Sequence, residues 1–169
     1  MLRPADGKAN ICLVTLEILG PYLGGGIATS VHGLALELAR DHNVAVFYAG
    51  ENLSRKSWQA ISAEFQQLNI EFIPLEESLF KPKSNSIQAL SFASHNFLKS
   101  RSFDVVYFHD YGGLGYYPAL AKKQGLAYEN TIFAAVLHGP SAWARIANRG
   151  ISSDIGNFEK DFLERRSIE

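Results

Sequence analysis

Five short apolar runs alternating with amphipathic segments predict a three-layer α/β/α, Rossmann-like fold with a doubly wound parallel sheet. Three observations carry this. The runs Ile11 to Ile18, Val44 to Tyr48, Ile70 to Leu75, Asp104 to Phe108 and Thr131 to Leu137 are nearly continuous in apolar residues, as strands covered on both faces are. The segments between them space their apolar residues by three and four, the period of a helix with one buried stripe. Short connections and right-handed crossovers then give the strand order 3-2-1-4-5.

The first run, ICLVTLEI, leads into Gly24, Gly25 and Gly26, after which Ile27, Val31, Leu34 and Leu38 mark one face of a helix. Ser54 is placed to cap a second helix carrying Trp58, Ile61, Phe65 and Leu68. Pro74 stops the third strand, and residues 76–85 are polar enough to form a loop. Ile87, Leu90, Phe97 and Leu98 belong to a third helix. The fourth run meets the turn His109, Asp110, Tyr111, Gly112, Gly113, and Pro118 suits the first turn of a helix that Gly125 ends. The fifth run ends in His138, Gly139 and Pro140, a short helix covers Ala142 to Asn148, and Asp154 to Ser167 forms a surface helix with Ile155, Phe158 and Phe162 on one face.

At 169 residues the chain suits one domain with a single core. A composition of 47% hydrophobic and 20% charged residues is that of a globular protein. A net charge of −1 offers no field to draw nucleic acid or an anionic membrane. Cys12, the single cysteine, sits in the first apolar run as a core residue, and with no second thiol a reducing, cytoplasmic compartment is expected. No apolar stretch reaches the roughly 18 residues that span a bilayer. The five histidines show no ligand spacing, so no metal is expected.

In a doubly wound sheet, ligands bind beyond the carboxyl ends of the strands where the order reverses, between strands one and four. Three turns meet there: the glycine triplet, His109 with Asp110, and His138. Gly24, Gly25 and Gly26 let a ligand approach the backbone, and the unpaired N–H groups of the following helical turn favour anionic or hydroxyl-rich groups. The alternative is a mobile glycine loop. A histidine at a strand end also serves as a plain loop cap, and Asp110 before Tyr-Gly-Gly is good turn chemistry. Two strands ending in histidine on one edge nonetheless point to a polar pocket on an apolar scaffold. Thr29 stands where G-x-G-x-x-G needs its third glycine, no lysine makes a P-loop, and there is no G-x-S-x-G elbow.

The series GGGIATSVHGLALELAR, VAVFYA, VVYFHDYGGL and AAVLHG resembles, in order and over nearly the whole chain, the amino-terminal domain of retaining GT-B glycosyltransferases of the glycogen synthase and sucrose synthase type. The resemblance implies that residues 1–169 are the acceptor-side half of a GT-B fold. It implies a carboxyl-terminal donor domain outside this chain, a nucleotide diphosphate sugar as donor, a saccharide or other hydroxyl acceptor, and no cofactor. Carried over by motif, Gly25 and Gly26 match the glycine pair near the donor, with Gly24 beside them. Asp110 matches the aspartate of a His-Asp-aromatic turn, His109 precedes it, and His138 matches the sugar-contacting histidine. His138 and Asp110 are thus the implied catalytic residues, and Gly24, Gly25, Gly26 and His109 the implied substrate contacts. Leu23 and Gly24 stand where glycogen synthases carry a lysine.

Retaining transfer develops positive charge on the sugar and negative charge on the leaving phosphate, so positioned donors and helix-terminal N–H groups lower the barrier without an evident base. Two other function classes compete. One is a free-standing Rossmann-like binding or regulatory module, which a second Rossmann pattern after Glu169 would exclude. The other is a nicotinamide-dependent oxidoreductase with Glu51 on the ribose, weakened by the missing third glycine.

Overall fold

The computed structural model describes residues 7–19, 25–50, 54–150 and 154–169. Five strands, β1 (Asn10–Thr15), β2 (Asn43–Tyr48), β3 (Ile70–Pro74), β4 (Val105–His109) and β5 (Ile132–Val136), form one parallel sheet in the order β3-β2-β1-β4-β5. Among the described residues the helices are α1 (Gly26–Leu38), α2 (Arg55–Gln67), α3 (Ile87–Lys99), α4 (Tyr116–Lys123), α5 (Ser141–Ala147) and α6 (Ile155–Ile168). The expected doubly wound, Rossmann-like architecture is the observed one.

Alternation along the strands builds the two outer layers. Ile11, Leu13, Val44, Val46 and Tyr48 face α1 and α2, where they meet Val31, Ala35, Ile61 and Phe65. Cys12, Val14, Phe47, Val106 and Phe108 point the other way, to Leu90 and Phe97 of α3 and to Leu114. Phe47 stacks on Phe97 with centroids 4.1 Å apart. The Cys12 thiol is wholly buried, and burial pushes its pKa far above the usual thiol value, which leaves it a core residue without reactivity. α4 packs on α3, and α6 packs on α4.

The helix ends follow local chemistry. Ser54 and Ser86 cap α2 and α3 by accepting from Ser57 and Ala89 N–H. Gly125, at φ +69°, closes α4 as its N–H donates to Lys122 and that of Leu126 to Ala121, the double bond of a glycine-terminated helix.

Five expectations need correction. The fifth strand, expected to be covered on both faces, has no buried residue, because it is an edge strand of the sheet. β1 stops at Thr15 rather than Ile18, because the Thr15 hydroxyl donates to the Glu17 carbonyl (2.8 Å) and accepts from the Glu17 N–H (3.0 Å), turning the chain. The third strand ends at Pro74, and Leu75–Glu77 is a single 3₁₀ turn. On α1 the fully buried positions are Ala28, Val31 and Ala35, with Ile27, Leu34 and Leu38 at the margin, since small residues let the helix approach the sheet. On α6 the expected apolar face, Ile155, Phe158 and Phe162, is largely exposed, and the residues turned inward are Leu163 and Glu164.

Candidate functional site

The turns after β1, β2, β4 and β5 all leave the carboxyl edge of the sheet, and their packing draws them together. Leu16 lies against both Gly50 and Gly112. Gly112 and Gly113 both take positive φ (+81° and +61°), and a Cβ on Gly113 would fall 2.6 Å from Leu163 Cβ. Glycine is therefore required after β4 because the α6 backbone presses directly on the turn.

Three carboxylates organise this edge. Asp110, 1% exposed, accepts from the His138 N–H with Oδ1 and from the Gly139 N–H with Oδ2, both at 3.0 Å. It lies beneath the β5 turn with both oxygens committed, and it shapes the site by holding that turn. Glu164, equally buried, accepts from the Gly112 N–H (2.9 Å) and the Ser141 hydroxyl (2.8 Å) with Oε1, and from the Ser141 N–H (2.6 Å) with Oε2. It thereby ties the β4 turn to the start of α5. Glu17 rests on the glycine turn, with Oε2 only 2.7 Å from where a Cβ on Gly25 would stand.

The sequence-predicted residues thus separate by depth. His138 is exposed on the edge, while His109 is buried behind it. His109 Nδ1 and His138 Nε2 are 2.8 Å apart, and either ring donates according to tautomer. Gly25 caps α1 with extended backbone (φ −96°, ψ −175°), and Gly26 opens the helix. Neither takes a positive φ, so their value is access, not conformation. Both are exposed beside first-turn amides that have no intrahelical acceptor. Gly24, like Glu51, lies outside the described residues.

Burial pushes the His109 pKa down to about 4, His138 acts in the same direction, and Asp110 opposes them. The folded chain therefore binds this proton less readily than the unfolded chain, in which histidine titrates near 6.5. The stability that a neutral His109 contributes is complete above pH ~6.5 and is lost as pH falls from there toward ~4. Over that window the chain is expected to lose up to about 3 kcal/mol through this group, and His109→Asn, which does not titrate, should flatten the fall. Thermal melts of both chains between neutral pH and pH ~4.5 measure it. Parallel curves would place the missing proton elsewhere.

Sequence reasoning missed Glu164, which looks like one more acid on a charged surface helix. The only available signal was its place beside Leu163, off the Ile155, Phe158, Phe162 stripe. Among the described residues no group of three or more histidines, cysteines or acids is placed to hold a metal ion. No helix among them is long and apolar enough to cross a membrane.

Comparison with protein-family models and with curated proteins returns no match. Among solved structures the chain is similar to pantothenate synthetase from Thermus thermophilus, with a TM-score of 0.48 and 11% identity, over 94% of this chain and 67% of that one.

Proposed function

We propose that this chain is the acceptor-side half of a nucleotide-sugar-dependent retaining glycosyltransferase, transferring a hexose to a saccharide or other hydroxyl acceptor. The observation that carries the proposal is the His138 turn. Its two amides are held by Asp110, its ring is braced by His109, and its imidazole is left facing solvent on the ligand-binding edge. A rigid, exposed hydrogen-bonding ring suits orientation of sugar hydroxyls, and the adjoining carbonyl suits a developing oxocarbenium charge.

The same geometry divides labour between two walls. The amides of His138, Gly139 and Ser141 are already bound by carboxylates and offer nothing to a diphosphate, whereas the first-turn amides of α1 have no intrahelical acceptor. Glu17 Oε2 lies 2.7 Å from where a Cβ on Gly25 would stand, so an anion at the capping residue of α1 meets a like charge. Most of the phosphate stabilisation then falls to a second, carboxyl-terminal domain, and this half is left with hydroxyl groups.

Screening uridine, adenosine and guanosine diphosphate sugars against the full-length protein tests the proposal, with acceptor-dependent release of nucleoside diphosphate as readout. Residues 1–169 alone are expected to catalyse no transfer and to bind these sugars weakly, because a half-open cleft leaves its hydrogen bonds in water. Tight binding to this domain alone, or no turnover with any donor by the full-length protein, would favour a binding module.

Gly26→Ala separates access from stability. Among the described residues, apart from the chain neighbours and the backbone of α1 itself, no atom lies within 4 Å of the added methyl, and alanine at a helix start is about 0.5 kcal/mol more stable than glycine. The variant should melt at or slightly above the parent temperature while losing transfer activity. Full activity in calorimetrically stable protein would remove the glycine turn from the site.

A further inference from the structure

Trp143, on α5, is 66% exposed, an unusual setting for the largest apolar side chain. One side of it is pinned. Gly139 has φ +106°, and a Cβ there would meet indole Cε3 and Cζ3 at 3.1 and 3.3 Å. The six-membered ring therefore lies against the main chain of the His138 turn, and a glycine is what lets it lie so close. Asp110 holds that same stretch of backbone through two hydrogen bonds, so the indole of α5 rests on the fixed turn that carries His138.

We infer that the exposed face of Trp143 is a stacking platform for a pyranose ring of the acceptor, with His138 as the adjoining hydrogen-bonding group. This rests on the transferase assignment and narrows its acceptor to a saccharide. A pyranose pairs an apolar C–H face with a rim of hydroxyls, and a fixed aromatic face beside a polar ring matches both halves. A nucleotide fits less well, because the cations that α5 and α6 place by the turn, Arg145 and Lys160, are committed within the chain. Arg145 is engaged by Asp161, and Lys160 lies over the Tyr111 ring at 3.6 Å and 3.9 Å from the Glu164 carboxylate. The turn amides are spent on Asp110.

Residues 1–169 contain two tryptophans, so in this domain Trp58→Phe isolates the emission of Trp143. In that background, maltotriose or cellotriose is expected to shift and quench the emission, and uridine alone to leave it unchanged. In the full-length protein, Trp143→Ala should raise the acceptor KM by about tenfold with kcat nearly unchanged, since stacking is made equally in ground and transition states. Trp143→Phe should recover most of the loss, which a merely structural role would not require. Emission that answers to neither saccharide, that answers to uridine only, or that changes with protein concentration instead, overturns the platform. Saccharide-dependent emission without turnover of any nucleotide sugar would keep the platform and sink the transferase assignment. Transfer with an unaltered KM in Trp143→Ala would do the reverse.

Discussion

Glu164→Ala is expected to destabilise the fold by about 4 kcal/mol, because it leaves two backbone N–H groups and a hydroxyl without their acceptor, at about 1–3 kcal/mol for each unpaired buried group. The side chain is fully enclosed and accepts three hydrogen bonds, two of them from backbone amides. Its removal strands the Gly112 and Ser141 N–H groups where α6 presses on the β4 turn. For a domain of this size the loss corresponds to a melting temperature roughly 10 °C lower. Glu164→Gln keeps one acceptor but turns an amide donor toward N–H groups, so it should fall between. Scanning calorimetry of the three chains decides the matter, and a change below about 1 kcal/mol for alanine would mean that water replaces the carboxylate at little cost.

His138→Ala in the full-length protein is expected to lower the turnover number about a hundredfold, as losing one contact formed at the reacting centre does. Stability should change little, because the ring is exposed and its hydrogen bond goes to His109, while Asp110 bonds the backbone, which alanine retains. Steady-state kinetics beside a thermal melt separates the possibilities. Unchanged turnover, or a large fall in melting temperature, would make His138 a structural cap.

The contrast between these two residues marks how far the sequence could be read. His138 was legible because it ends an apolar run, and the carboxyl edge of a doubly wound parallel sheet is where such folds place ligands. Asp110 was legible as a choice between turn and ligand contact. Its two 3.0 Å bonds to the β5 turn depend on a strand 28 residues away, so no local pattern could settle its orientation. The glycine turn was legible as an opening into a helix, yet its conformational need proved to lie elsewhere, at Gly112 and Gly113, where the helix that crosses them comes about fifty residues later.

By itself the sequence determined the architecture: five parallel strands in the order 3-2-1-4-5, their flanking helices, and the edge on which the polar turns meet. These follow from hydrophobic periodicity and from the handedness of short crossovers, which act locally and are written residue by residue. Tertiary structure alone decided which polar groups face solvent on that edge and which hold the turns. Glu164 is buried and the aromatic stripe of α6 left in water because the close approach of α6 to Gly113 fixes the rotation of that helix. A carboxylate shared by two turn amides and a hydroxyl there outweighs the burial of one phenylalanine, since two N–H groups left unpaired at about 1–3 kcal/mol each cost more together than the roughly 1.5–3 kcal/mol of one exposed ring.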